Sequence, residues 1–134
     1  MTNRELMLLA VEARKNAYAP YSGFRVGAAL LCKNGKVYTG CNIENASYTP
    51  TNCAERTALF KAVSEGEREF SAIAIVGGRY EDIADFCAPC GVCRQTLAEF
   101  CDGDFRVILG TPEKIQEFSF GEILPYSFGK SDLE

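Results

Sequence analysis

Residues 70–78 read FSAIAIVGG, a run without a single charge. Near-continuous apolar character over such a length is what a strand at the centre of a sheet requires. A second mostly apolar run, FRVILG at 105–110, reads as another buried strand. Between them lie a loop with Cys87 and Pro89 and a helix predicted over Gly91 to Cys101, stopped by Gly103. Strand, helix, strand in that order implies a parallel pair with the helix packed on a sheet face.

Upstream, Thr2 and Glu5 fit a capping box, and Leu6, Leu9, Ala10, Ala13 and Ala17 follow a helical period until Pro20 and Gly23. Phe24, Val26, Ala28, Leu30 and Cys32 alternate as strand residues do. Asn34-Gly35 predicts a two-residue hairpin turn into a returning strand, KVYTGC. Positions 42–52 read as a loop. A helix is predicted from Cys53 to Glu65, with Ala58, Leu59, Ala62 and Val63 on its buried stripe and Gly66 as its stop. A weak strand near Phe118 and a helical turn at FGEILPY follow. The expected architecture is α/β: three layers, α/β/α, around a central mixed sheet. The length of 134 residues suits one domain, 1–134.

Hydrophobic residues make up 47% and charged residues 24%, as in chains that fold. The formal net charge of −4 and the absence of a basic run disfavour nucleic acid as a partner. The N-terminal apolar run is too short and too soon charged for a signal peptide, and nothing reaches the ~18 apolar residues a membrane span needs. Seven cysteines, an odd number, read as free or metal-bound thiols in a reducing cytoplasm rather than as a disulfide scaffold.

The chain has no histidine, so any proton transfer falls to other groups. In sites of this architecture, chemistry gathers at helix N-termini and strand ends. Two predicted helices begin with thiols. PCGVC at 89–93 places Cys90 and Cys93 three apart, able to share one metal ion, and NCAER at 52–56 adds Cys53. Three protein ligands leave a zinc position open for water, the catalytic pattern. Glu55 can then accept that water's proton. Arg56, three residues after Cys53, can hydrogen-bond its sulfur and withdraw charge from a cluster of three thiolates. One tension remains: residues two apart on a regular helix point away from each other, so Cys53 and Glu55 can face one ion only at the helix tip.

Other readings of these residues stay open at this level. Cys90 and Cys93 alone would also suit a redox pair or a structural zinc knuckle. Cys87, three before Cys90, could complete a four-thiol structural site in a non-enzymatic binding module. Cys32, Cys41 and Cys101 read as small apolar residues. Arg94 and Gln95 would support the ligands from behind.

NCAER followed by PCGVCRQ resembles the zinc-dependent nucleoside deaminases, whose signature has His or Cys, one residue, Glu, and later Pro-Cys-x-x-Cys. The resemblance extends through YAPYSGFRVGAALL and GCNIENASY and covers most of the chain. It is to the small homotetrameric cytidine deaminases, and NIENASY favours these over the neighbouring blasticidin-S deaminases. It implies one zinc per chain on Cys53, Cys90 and Cys93, proton transfer by Glu55, and charge compensation by Arg56. It further implies ribose contacts from Asn42 and Glu44, a base packed on Phe24, and the Ala54 N–H facing the base or the water. It also implies active sites shared between subunits, with Tyr48 reaching across a boundary and Phe128 of a neighbour closing the pocket, Tyr126 being the alternative. The expected reaction is hydrolytic conversion of cytidine and deoxycytidine to uridine and deoxyuridine with release of ammonia, a step of pyrimidine salvage.

Overall fold

The computed structural model describes residues 1–134. Its elements in chain order are α1 (Asn3–Arg14), β1 (Phe24–Cys32), β2 (Val37–Cys41), α2 (Ala54–Ser64), β3 (Phe70–Arg79), α3 (Gly91–Ala98), β4 (Arg106–Thr111), β5 (Lys114–Ser119) and α4 (Phe120–Ile123), with a 3₁₀ turn at Lys130–Leu133. The five strands form one sheet in the order β2-β1-β3-β4-β5. Only β3 and β4 run parallel, so the sheet is mixed, as expected. The FSAIAIVGG run is its middle strand, and Ala72 to Val76 are fully buried there.

Helices cover both faces. α1 packs Leu6, Met7 and Ala10 against Ala29, Ala72, Ala74, Val76 and Ile108. α2 and α3 pack Ala54, Ala58, Leu59, Ala62 and Leu97 against Ala28, Leu30, Ile73, Ile75, Val107 and Leu109 on the other side. The period-2 alternation of the strands assigns these residues to their faces. Two glycines let the helices close on the sheet. A Cβ at Gly27 would stand 2.6 Å from the Arg14 nitrogen of α1, and one at Gly40 2.5 Å from the Ala58 nitrogen of α2.

The capping box at Thr2 and Glu5 is present. Two helix ends and one connection differ from expectation. α1 ends at Arg14, and the chain continues to Ala17 in tight i→i+3 turns, with Asn16 donating to Ala13 and Ala17 to Arg14. α3 ends at Ala98, and Phe100 and Cys101 both close back onto the Leu97 carbonyl. The β1–β2 connection is not a two-residue turn. Only Gly35 takes a positive φ (+93°), whereas the expected turn needs two such residues. Asn34 instead accepts the Lys36 N–H with its side chain and donates to Glu67, so the connection spans Lys33–Lys36.

Candidate metal centre and active site

α2 and α3 lie on the same sheet face and begin at the same end of it. Cys53 is the N-cap residue of α2 and Cys90 that of α3. Each helix start carries unpaired N–H groups and the positive end of the macrodipole, which favours thiolates. Cys93, one turn into α3, is fully buried. The sulfurs of Cys53, Cys90 and Cys93 lie within 4.8 Å of one another. The Cys53–Cys90 separation is 3.7 Å, too long for a disulfide. Sulfurs held ~2.3 Å from a tetrahedral zinc stand ~3.8 Å apart, so the triangle fits that ion. Cys87 is not part of it.

The side chain of Cys53 makes no cap bond to α2, which leaves its sulfur to the cluster. Cys90 Sγ accepts the Cys93 N–H at 3.5 Å, and Arg56 donates to Cys53 Sγ at 3.5 Å. The Nε of Arg56 is buried without a partner. Hydrogen bonds from Cys93, then Arg56 and Cys90, draw the Cys53 thiol down to about 5. Cys93 moves the other way, because it donates to Cys53 and is buried. A divalent cation is the group that would let all three thiols ionise.

Glu55 is 4% exposed, and burial raises its carboxyl to about 7. The spacing tension between Cys53 and Glu55 resolves at the helix tip. Cys53 precedes the helix with extended backbone (φ −76°, ψ 156°), while Glu55 lies inside its first turn. Both line one cleft of about 260 Å³, together with Phe24, Asn42, Glu44 and Cys90. Ala54, between them, is the first residue of α2, and its N–H has no acceptor within the helix.

The remaining expected contacts are placed unevenly. Phe24 opens β1 and is half-buried in the cleft wall. Asn42 is buried, donating to the Phe24 carbonyl at 2.8 Å and accepting the Val26 N–H at 2.9 Å, so it fastens the start of β1. Glu44 accepts from the N–H groups of Tyr21 and Ser22 and from the Ser22 hydroxyl. Tyr48 is exposed, with φ +64°, and stands edge-to-face with Tyr21 across an adjoining groove of about 390 Å³ that shares Ser22, Glu44 and Thr51 with the cleft. Phe128 and Tyr126 are exposed and line no part of their own chain's cleft. The Phe128 carbonyl accepts from Gln95 of α3 at 2.9 Å. Arg94 donates to the Pro89 carbonyl at 2.8 Å and to the Ile123 carbonyl at 2.7 Å, steadying the residue before Cys90.

Sequence reasoning missed Ser22, Thr51, Asn52 and Ala88 as lining residues, and treated Cys87 only as a rival ligand. Ser22 carried a signal as a turn residue in YAPYSGF. The others sit in loops whose path no periodicity describes.

A family model described as the cytidine and deoxycytidylate deaminase zinc-binding region matches residues 1–111. The chain is 52% identical to the cytidine deaminase of Halalkalibacterium halodurans, over 99% of this chain and 98% of that one. It is 49% identical to the cytidine deaminase of Sporosarcina psychrophila, over 99% and 96%. The crystal structure of cytidine deaminase from Burkholderia pseudomallei superposes with a TM-score of 0.87 at 48% identity, covering 96% of this chain and all of that one. With the cysteine triangle and the three-layer sheet already in view, these likenesses place the chain in the family of zinc-binding cytidine and deoxycytidylate deaminases.

Proposed function

We propose that the protein hydrolyses cytidine and deoxycytidine to uridine and deoxyuridine, releasing ammonia. The observation that carries this is the presence of Cys53, Cys90 and the buried Glu55 in one cleft beside a metal-sized sulfur triangle. Cys53, Cys90 and Cys93 hold the zinc ion, one per chain. Zinc supplies the Lewis acidity that brings water to nucleophilic form near neutral pH. Glu55 accepts a proton from the attacking water and passes it to ring N3. It then delivers the second proton to the departing amino group, which leaves as ammonia. Arg56 offsets the negative charge of three thiolates, and Phe24 flanks the base.

Asn42 and Glu44 orient the ribose with the capacity that their structural bonds leave over. Asn42 uses one donor and one acceptor on β1, which leaves one N–H and one lone pair. One oxygen of Glu44 accepts from both the Tyr21 and Ser22 N–H groups, and the other accepts from the Ser22 hydroxyl and retains a lone pair for a ribose hydroxyl. The same arrangement argues against nucleotides: a phosphate near Glu44 meets a carboxylate, and the 41–53 loop contains no Lys or Arg. Free cytosine leaves the ribose partners unmatched.

We also read the chain as a single domain over 1–134 that works as a homotetramer with shared sites. The exposed Tyr48 and Phe128 are available to neighbouring subunits in that assembly. No helix is long and apolar enough to cross a membrane, and all seven cysteines are free, which suits a reducing cytoplasm. The test is kcat/KM for cytidine, deoxycytidine, cytidine monophosphate, cytosine and blasticidin S on one preparation. The two nucleosides should lead. Comparable values for cytidine and its monophosphate would sink the reading of Glu44, and a lead for blasticidin S would reassign the substrate. Light scattering should give four times the chain mass of 14.7 kDa.

A further inference from the structure

Arg14 is a charged residue at the end of α1, yet it is only 8% exposed and pairs with no carboxylate. Its guanidinium meets four backbone carbonyls instead. Nε donates to Arg25, one residue into β1, at 2.9 Å. One terminal nitrogen serves Gly78 at 3.0 Å, Tyr80 at 2.8 Å and Asp82. Arg14 thus ties the start of β1 to the end of β3 and to the segment that follows.

That segment, 80–88, is a strap around the end of β3. Its first half lies on the α1 side. Asp82 and Ala84 press on Gly78, where a Cβ would stand 2.8 Å from the Ala84 nitrogen. Tyr80 donates to the Gly23 carbonyl at 2.7 Å and Ala84 to the Gly77 carbonyl at 2.8 Å. The second half emerges in the cleft, where Cys87 and Ala88 form part of the wall. The Cys87 sulfur seats over Gly77, whose missing Cβ would lie 2.7 Å from that sulfur and 3.1 Å from both Phe24 and Val26. The ring of Phe24 and the thiol of Cys87 therefore share one seat.

We propose that Arg14 is a positioning residue for the cleft. From the opposite face of the sheet it fixes the strap, the strap fixes Cys87 over Gly77, and the Cys87 side chain backs the Phe24 ring. A planar guanidinium with several fixed donors can bind four carbonyls that converge from three segments; an ammonium cannot span them in the same way. This inference rests on the nucleoside reading of the cleft for its catalytic consequence, but not for its structural one.

The experiment compares zinc-loaded wild type with Arg14→Ala and Arg14→Lys. In Arg14→Ala, amide exchange should accelerate within 80–88 and not across the chain. Alkylation of Cys87 by iodoacetamide, located by mass spectrometry, should quicken about tenfold. Zinc content should stay at one per chain. The loss in kcat/KM for cytidine should be on the order of 10²-fold and lie mainly in KM, because the wall moves while Glu55 does not. Arg14→Lys, retaining the charge and some donors, should restore part of each effect. Exchange raised evenly along the chain, unfolding of both variants at 25 °C, or an unchanged KM with kcat reduced would overturn the proposal. Wild type without cytidine turnover would overturn the nucleoside reading instead, and the exchange and alkylation arms would still decide the role of Arg14.

Discussion

Arg56 places a guanidinium nitrogen 3.5 Å from the sulfur of Cys53, one helical turn back along α2. The charge it supplies is the only cation bonded to the sulfur triangle, which carries −1 once three thiolates surround a divalent ion. Arg56→Gln should keep the metal but leave the cluster more negative, so water there ionises less readily. Turnover should fall, and the acidic limb of the rate profile should move to higher pH. A rate unchanged at every pH would remove Arg56 from the chemistry.

Glu55 is held where its ionised form is disfavoured. Glu55→Gln preserves volume but cannot accept a proton, so cytidine turnover should fall by at least ~10²–10⁴-fold while zinc content stays near one per chain. The same variant predicts a pH effect on the metal-free protein. The carboxyl is raised by burial from 4.5 to about 7, so the folded state binds its proton more tightly than the unfolded chain does. The stability linked to that proton is full below about 4.5 and is lost as pH rises through about 7. At pH 8, metal-free Glu55→Gln should therefore be more stable than metal-free wild type by about 3 kcal/mol, with the difference vanishing near pH 4. Urea titrations at both pH values measure it, and equal stabilities at pH 8 would refute it.

The cysteines should divide sharply. Cys53→Ala, Cys90→Ala and Cys93→Ala should each lose zinc and activity together. Cys87→Ser should keep the metal, because its sulfur lies outside the triangle, although its place in the cleft wall predicts a raised KM. Metal loss in Cys87→Ser would mean a closed four-thiolate site and no enzyme.

Gly40 determines how closely α2 approaches the sheet. A methyl group there would stand 2.5 Å from the Ala58 nitrogen and 2.7 Å from the Ala54 carbonyl, both backbone atoms. Gly40→Ala should push the helix outward, costing about 1–3 kcal/mol of stability and loosening the hold of Cys53 on the metal. Denaturant midpoints and competition with a chromogenic chelator would show both effects. A fully stable variant with unaltered zinc affinity would mean that α2 does not need this contact.

Much of the candidate site can be read from sequence because its residues are tied to helix starts. Cys53, Glu55, Arg56, Cys90 and Cys93 sit within the first turns of two helices, where spacing alone dictates direction. The central runs of β3 and β4 were equally plain, because where a strand is covered on both faces its polar positions fall at the ends. The ends of α1 and α3 were less so: the chain leaves each helix through tightened turns that no single residue announces. The hairpin misled because Asn34-Gly35 suits a two-residue turn, whereas the Asn34 side chain is held by Lys36 and by Glu67, 33 residues away. Glu44 shows the same limit. Only the resemblance implies a ribose contact for it, and the Tyr21–Ser22 turn that it anchors is a tertiary fact.

Cys53 and Cys90 are 37 positions apart, and the whole of β3 lies between them. An ion gripping both ends closes that segment into a ring. β3 supplies no ligand, yet it is the one strand whose flanking segments the ion holds together, so opening it leaves less freedom to the released chain. Closure of a ring of this size also removes freedom from the denatured chain, whatever the ion does for catalysis. Occupancy should therefore be readable far from the metal, as slowed hydrogen exchange at Ile73 to Val76, before any substrate is added.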